Sequence, residues 1–420
     1  MQSSFWKRHG ALLLGLFVAF GAAILYGARL EVPVVSDEVI TLANGEYLLG
    51  NDWSYMIAAT GGYYFKWFYG VLMTPVLWLF RDSPHNAYRA MMILNGMLQA
   101  GTMPVCYFIC RRYLRVKSPW CAAGIGVCAA FVPSVFLYAF YARGDLLLSI
   151  VPWYVLALLL EGLKAEQEHD RSRRAVCTAL AAGVSVIAFM AHTRGIVVIV
   201  ALLLTVLLVR ICEKKNPVSW PVLLAVGAAA FLLDLLLAQH FKTALYWIRG
   251  ALANTLDAVP LNSFFDIFSF RVLKSMAGIS VGWLYTLLSS TYGLILLGIL
   301  ACLDASIRMV RGGGGLAAEE KLAALFSLLV FAGYFLSGLL LFKGNFYSLK
   351  YDVMDQRVDS LLYDRYSSCG AGLPVFAAVY ILAARPRLLT RPFRLASLVL
   401  WGLLLLAFFT REKVWSAIVL

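Results

Sequence analysis

Long apolar runs separated by short polar connectors fill almost the whole chain. A helix that crosses a bilayer needs roughly 20 mostly apolar residues. Eleven stretches meet this requirement: residues 11–27, 90–110, 119–140, 146–163, 175–191, 195–211, 218–238, 276–303, 321–342, 367–384 and 395–410. They predict an all-α polytopic membrane protein forming one integral membrane domain over residues 1–420. Residues 67–80 (WFYGVLMTPVLWLF) are equally apolar, but they are too few and contain Pro75. That segment predicts an amphipathic interfacial or re-entrant helix rather than a crossing.

Composition agrees with this pattern. Apolar types make up 61% of the 420 residues and charged types 14%, with a mean hydropathy of +0.78. Soluble domains are about 45–50% apolar and about 25% charged. Disordered chains and soluble nucleic-acid binders are thereby excluded. The net charge of +13 finds its explanation in topology. With Lys7 and Arg8 on the cytoplasmic side, alternate short loops hold Arg111, Arg112, Arg115 and Lys117; Lys164, Arg171, Arg173 and Arg174; Arg210, Lys214 and Lys215; Arg308, Arg311 and Lys321; and Arg385, Arg387, Arg391 and Arg394. These are 20 of the 36 basic residues. The enrichment of Lys and Arg in short cytoplasmic loops fixes orientation, and it places the N-terminus inside. Cys369 alone of eight cysteines lies near the outer face, so no outer disulfide pair is expected.

Three outer segments exceed plain connectors: residues 28–89, 239–275 and 343–366. The cytoplasmic loops leave little room for a folded site, so chemistry is expected outside. Asp37 and Glu38 follow the first span directly. One carboxylate of such a pair can accept a proton from an attacking hydroxyl while the other positions it or binds a cation. Asp145, in Tyr141-Ala142-Arg143-Gly144-Asp145, starts the fourth span, where a carboxylate complements the helix dipole. Asp234 lies at membrane depth, where a lone charge costs about 2.5–3.5 kcal/mol. Pairing with a neighbouring span is expected for it, and no catalytic role. His192 has no His or Cys at ligand spacing, and no metal site is predicted.

The order and membrane side of several short motifs resemble the GT-C superfamily of polyprenyl-phosphate-sugar-dependent glycosyltransferases. Within it, the pattern is similar to the protein O-mannosyltransferase and lipid A aminoarabinose transferase branch. The matching residues are Ser36-Asp37-Glu38, the stretch from Tyr63 to Gly70 leading into Pro75, Tyr88-Arg89, Ala142-Arg143-Gly144-Asp145, and Asp364-Arg365-Tyr366. The match is best over residues 1–210, which would form the GT-C-like module with its outer loop 28–89. Residues 211–420 would add further spans and the outer loops 239–275 and 343–366. One departure stands out: the branch's Lys-Pro-Pro-Leu-Tyr-type segment is here Lys66-Trp67-Phe68-Tyr69-Gly70.

The resemblance implies an inverting transfer of a sugar from a polyprenyl phosphate to an acceptor hydroxyl on a lipid, glycan or protein. The expected setting is the outer face of a bacterial plasma membrane. Asp37 would be the base, assisted by Glu38 and Asp145. The departing lipid phosphate gains negative charge and calls for preplaced cations; the outer candidates are Lys66, Arg194, Arg357 and Arg365. Tyr63, Tyr64 and Tyr69, with Tyr366, would line a donor or acceptor groove at lipid level. No cofactor is required by that chemistry, although adjacent carboxylates also suit a hard divalent cation. A transporter or flippase is the alternative reading, in which charged residues would mark a path at the midplane.

Overall fold

The computed structural model describes residues 2–33, 36–60, 63–248, 269–313, 315–342 and 365–385, together with 395, 396, 398–400, 402 and 403. Among them the only regular secondary structure is helical, and eight helices are long and apolar enough to cross a membrane. The chain is an α-helical polytopic membrane protein.

Helix α1 (Gln2–Gly27) packs along α5 (Pro84–Ala100), with α2 (Ser36–Leu48), α3 (Ser54–Ala59) and α4 (Phe68–Leu79) between them in sequence. Twelve residues of α4 span only about 18 Å at the helical rise of ~1.5 Å, and Pro75 lies inside it. As the sequence predicts, this segment is too short to cross. It is laid against α2 instead, at a crossing so close that a Cβ on Gly70 would sit 2.4 Å from the Thr41 carbonyl oxygen. Ser83 precedes Pro84 at the start of α5, and the helical run through α6 (Thr102–Phe108) ends in a π turn at Ile109–Tyr113.

Three predicted spans are interrupted. Residues 119–140 form α7 (Pro119–Ala130) and α8 (Pro133–Tyr138), since Pro133 has no N–H with which to continue the ladder. The 276–303 stretch divides into α13 (Phe270–Ser290) and α14 (Leu294–Val310). The break falls at Tyr292 and Gly293, whose φ values of 51° and 75° are left-handed. Residues 367–384 divide into α16 (Arg365–Ser368) and α17 (Gly372–Ala384). Val132, Leu287, Ile295 and Ala371 from beside these breaks meet in one apolar cluster around Phe331 of the unbroken α15 (Ala318–Phe342). The remaining long helices, α9 (Asp145–Gln167), α10 (Arg171–Ala191), α11 (Ile196–Glu213) and α12 (Trp220–Leu245), follow the predicted spans with ends extended by a few residues. Most of the 395–410 stretch lies outside the described residues.

Polar ties collect the basic loops at one end of the bundle. Glu161 takes Arg112, Arg173 and Tyr113; Lys321 meets Glu213 at 2.7 Å; and Gln167 donates to Glu319 at 3.2 Å. This is the basic end. Asp145 begins the helix that carries Glu161, so it stands about 24 Å from that belt, close to the ~30 Å of a hydrocarbon core.

Candidate functional site: three carboxylates and three guanidinium groups around one strap

Consecutive residues of a helix point about 100° apart, and this separates Asp37 from Glu38 in the first turn of α2. Glu38 turns inward and is fully buried. Its Oε2 accepts the Tyr88 hydroxyl at 2.7 Å and the Ala142 backbone N–H at 2.7 Å. Asp37 faces the other way, with 36% of its side chain exposed, and its Oδ2 lies 2.8 Å from Arg143 Nη2. The strap Tyr141–Asp145 is thus gripped by both carboxylates of α2. The two acids thus have different partners, and no group of three potential metal ligands occurs among the described residues.

Asp145 is the first residue of α9, with Gly144 in the capping position. Its carboxylate, 4% exposed, pairs with Arg194 and faces Arg365 Nε at 3.9 Å. Arg194 also donates to the Tyr366 carbonyl at 3.3 Å and lies 4.2 Å from the centre of the Tyr366 ring, while Arg365 stands over the same ring at 5.3 Å. Asp37, Glu38 and Asp145 therefore converge through the Ala142–Asp145 strap, with Arg143, Arg194 and Arg365 around it. The Nε groups of Arg143 and Arg194 are buried without an acceptor among the described residues. A buried donor without a partner costs roughly 1–3 kcal/mol, so these N–H groups favour any anion that reaches them.

His192 caps the 3-10 turn Thr193–Gly195: its Nδ1 accepts the Arg194 backbone N–H at 3.1 Å. An accepting Nδ1 places the proton of the neutral ring on Nε2. Burial, reinforced by the Arg194 charge, pushes the His192 pKa down to about 3. The ring is neutral at ordinary pH and adds no charge beside the guanidinium groups.

The strap requires glycine at 144, where a Cβ would lie 2.2 Å from the Ala191 carbonyl oxygen. A Gly144→Ala variant is expected to lose about 1–3 kcal/mol through overpacking. It should also displace Arg143 and Asp145, and a lower unfolding midpoint is the measurement that checks it.

Other predicted site residues have other partners. The Lys66 ammonium is buried, 2.8 Å from Asp234 Oδ2 and 3.9 Å from the Phe189 ring centre. Trp67 Nε1 donates to Asp234 Oδ1 at 2.9 Å. The expected partner of Asp234 on a neighbouring span is replaced by a loop lysine, and Lys66 is occupied as a counterion. The tyrosines do not form one groove. Tyr63 is exposed, and Tyr64 is buried edge-on against Tyr246. Tyr69 is fully buried and hydrogen-bonded to Asn95 at 3.0 Å. Of the four, Tyr366 alone touches the guanidinium cluster. Arg357 falls outside the described residues. Arg143 is the residue that sequence reasoning missed as a site group, although it stands two positions before Asp145 in the quoted motif.

No family model, curated protein or solved structure matches the chain.

Proposed function

We propose that the chain is an inverting glycosyltransferase that moves a sugar from a polyprenyl phosphate to an acceptor hydroxyl at the end of the bundle opposite the basic loops. By the Lys and Arg distribution that end is the outer one. The observation that carries the proposal is the division of labour among three convergent carboxylates. Asp37 keeps a solvent-facing surface, while Glu38 and Asp145 are buried and hold the strap and the arginines.

In this reading the acceptor oxygen attacks the anomeric carbon and its proton passes to Asp37. The bond from that carbon to the lipid phosphate oxygen breaks, and polyprenyl phosphate departs with the bonding pair. Arg194 and Arg365 meet the growing charge, Arg being suited to two phosphate oxygens at once. Arg143 fixes the Asp37 carboxylate and is a positioning residue. Arg365→Ala should lower kcat/KM for the donor about 10- to 100-fold, the equivalent of losing about 1.5–3 kcal/mol of charged hydrogen bonding. Arg365→Lys should recover part of it. Release of polyprenyl phosphate by the purified protein is the assay, and unchanged kinetics in Arg365→Ala would remove this residue from the donor site. Transport of a labelled substrate into vesicles without consumption of a glycosyl donor would favour the transporter instead.

A further inference from the structure

A buried amide on α5 reaches the candidate site from behind. Asn95 and Gln99 stand four residues apart in the mostly apolar stretch 90–100, on one face of the helix, and both are fully buried. A buried amide is costly unless its hydrogen bonds are made. Gln99 finds the Ala130 carbonyl at 3.4 Å and the Ser149 hydroxyl at 3.1 Å. Asn95 has a different set. Its Nδ2 donates to the Tyr69 hydroxyl at 2.8 Å and to the Tyr141 carbonyl at 3.1 Å, and its Oδ1 lies 3.0 Å from the same hydroxyl. The carbonyl fixes which end of the amide faces it, since the reverse would set two acceptors against each other.

The Tyr141 carbonyl accepts a second time. The Arg143 backbone N–H donates to it at 2.8 Å and closes a three-residue turn. The two lone pairs of the oxygen serve both donors. From this turn the Arg143 guanidinium extends to Asp37 Oδ2, 2.8 Å away. Contacts thus run without a gap from a phenol on α4 through Asn95, the Tyr141 carbonyl and Arg143 to the carboxylate of Asp37. Gly96 lets the amide come this close: a Cβ there would lie 3.1 Å from the ring of Phe140, the residue before Tyr141.

We propose that Asn95, braced by Tyr69, is a positioning residue for the Arg143–Asp37 pair: it holds the Tyr141–Arg143 turn from which the guanidinium reaches the carboxylate. This rests on the reading of Asp37 as the base and names what keeps that base aimed. The α2 carboxylates grip the strap from one side, and the α5 amide grips it from the other. Arg194 and Arg365 are held separately, by Asp145 and Tyr366. A loosened turn should therefore slow turnover and leave donor binding as it was.

The test uses the full chain purified in detergent and reads hydrogen exchange of the strap peptide together with donor kinetics. In Asn95→Leu, which keeps the bulk and removes the amide, exchange of the strap should quicken about tenfold, the equivalent of one hydrogen bond. Its kcat should fall about 10- to 100-fold, as a misplacement of about 1 Å can bring, with KM for the donor unchanged. Tyr69→Phe should show a smaller loss. The double variant should be no worse than Asn95→Leu, because Tyr69 acts through Asn95. Gln99→Leu, which removes the neighbouring buried amide, should leave both readouts as in the parent. If Asn95→Leu does not fold, Tyr69→Phe compared with Gln99→Leu decides. Unchanged strap exchange in Asn95→Leu, a normal kcat despite faster exchange, or equal effects in Gln99→Leu would overturn the assignment. The exchange readout holds whether or not the parent transfers sugar. A parent inactive with every donor would count against the proposed function, and exchange would still decide the hold on the strap.

Discussion

Replacing Asp37 by asparagine is expected to lower sugar transfer about 10²- to 10⁴-fold, the range supplied by a positioned general base. Asparagine keeps the shape of the side chain and an oxygen for Arg143, so the strap should stay in place. A partly exposed side chain whose main tie lies 2.8 Å away on the neighbouring strap contributes little else to the fold. The Asp37→Asn protein should accordingly elute and unfold like the parent. Asp37→Glu should retain part of the rate, because the carboxylate survives about one methylene out of position. Full transfer activity in Asp37→Asn would remove the base from the mechanism and the central claim with it.

Asp145→Ala is the change expected to damage the fold most. Arg194 and Arg365 are both buried against this carboxylate. Removing one partner of a buried ion pair costs about 3–5 kcal/mol, since the remaining charge loses its compensation. Total stabilities are only about 5–15 kcal/mol, so the variant should show a much lower unfolding midpoint or fail to accumulate. The double variant Asp145→Asn/Arg194→Gln should lose less than the sum of its single changes. Additive losses would mean that the pair does not act as a unit. Asp37→Asn and Asp145→Ala thus separate two functions of the three carboxylates: the first silences chemistry in an intact protein, and the second loosens the cation cluster.

Much of this arrangement is legible from local signals. A short apolar segment with an internal proline gave α4, because a helix of that length cannot span. The acid pair after the first span and the Arg143-Gly144-Asp145 motif pointed to one face, because alternation of spans puts both at the same end. Helix interruptions were harder to read. Residues 276–303 exceed the length of one crossing and contain Tyr292-Gly293, a combination consistent with the observed break. Hydropathy averages over such a site, since the apolar residues on both sides outweigh the short polar run Ser289-Ser290-Thr291 before the left-handed turn. The roles of the tyrosines were not legible. Tyr63, Tyr64 and Tyr69 are neighbours in sequence, yet one is exposed, one packs on Tyr246 and one bonds Asn95. Which of these a tyrosine does depends on the helix that arrives beside it, and no local pattern encodes that.

The Lys66–Asp234 pair joins residues 168 positions apart. A ribosome adding about 5–20 residues per second needs roughly 10–30 s to pass from one to the other. Through that interval the α12 carboxylate that both the Lys66 ammonium and the Trp67 indole N–H contact is not yet made. The burial of Lys66 and Trp67 is therefore complete only once α12 delivers the aspartate, so a segment made early takes its final contacts from a helix made well after it.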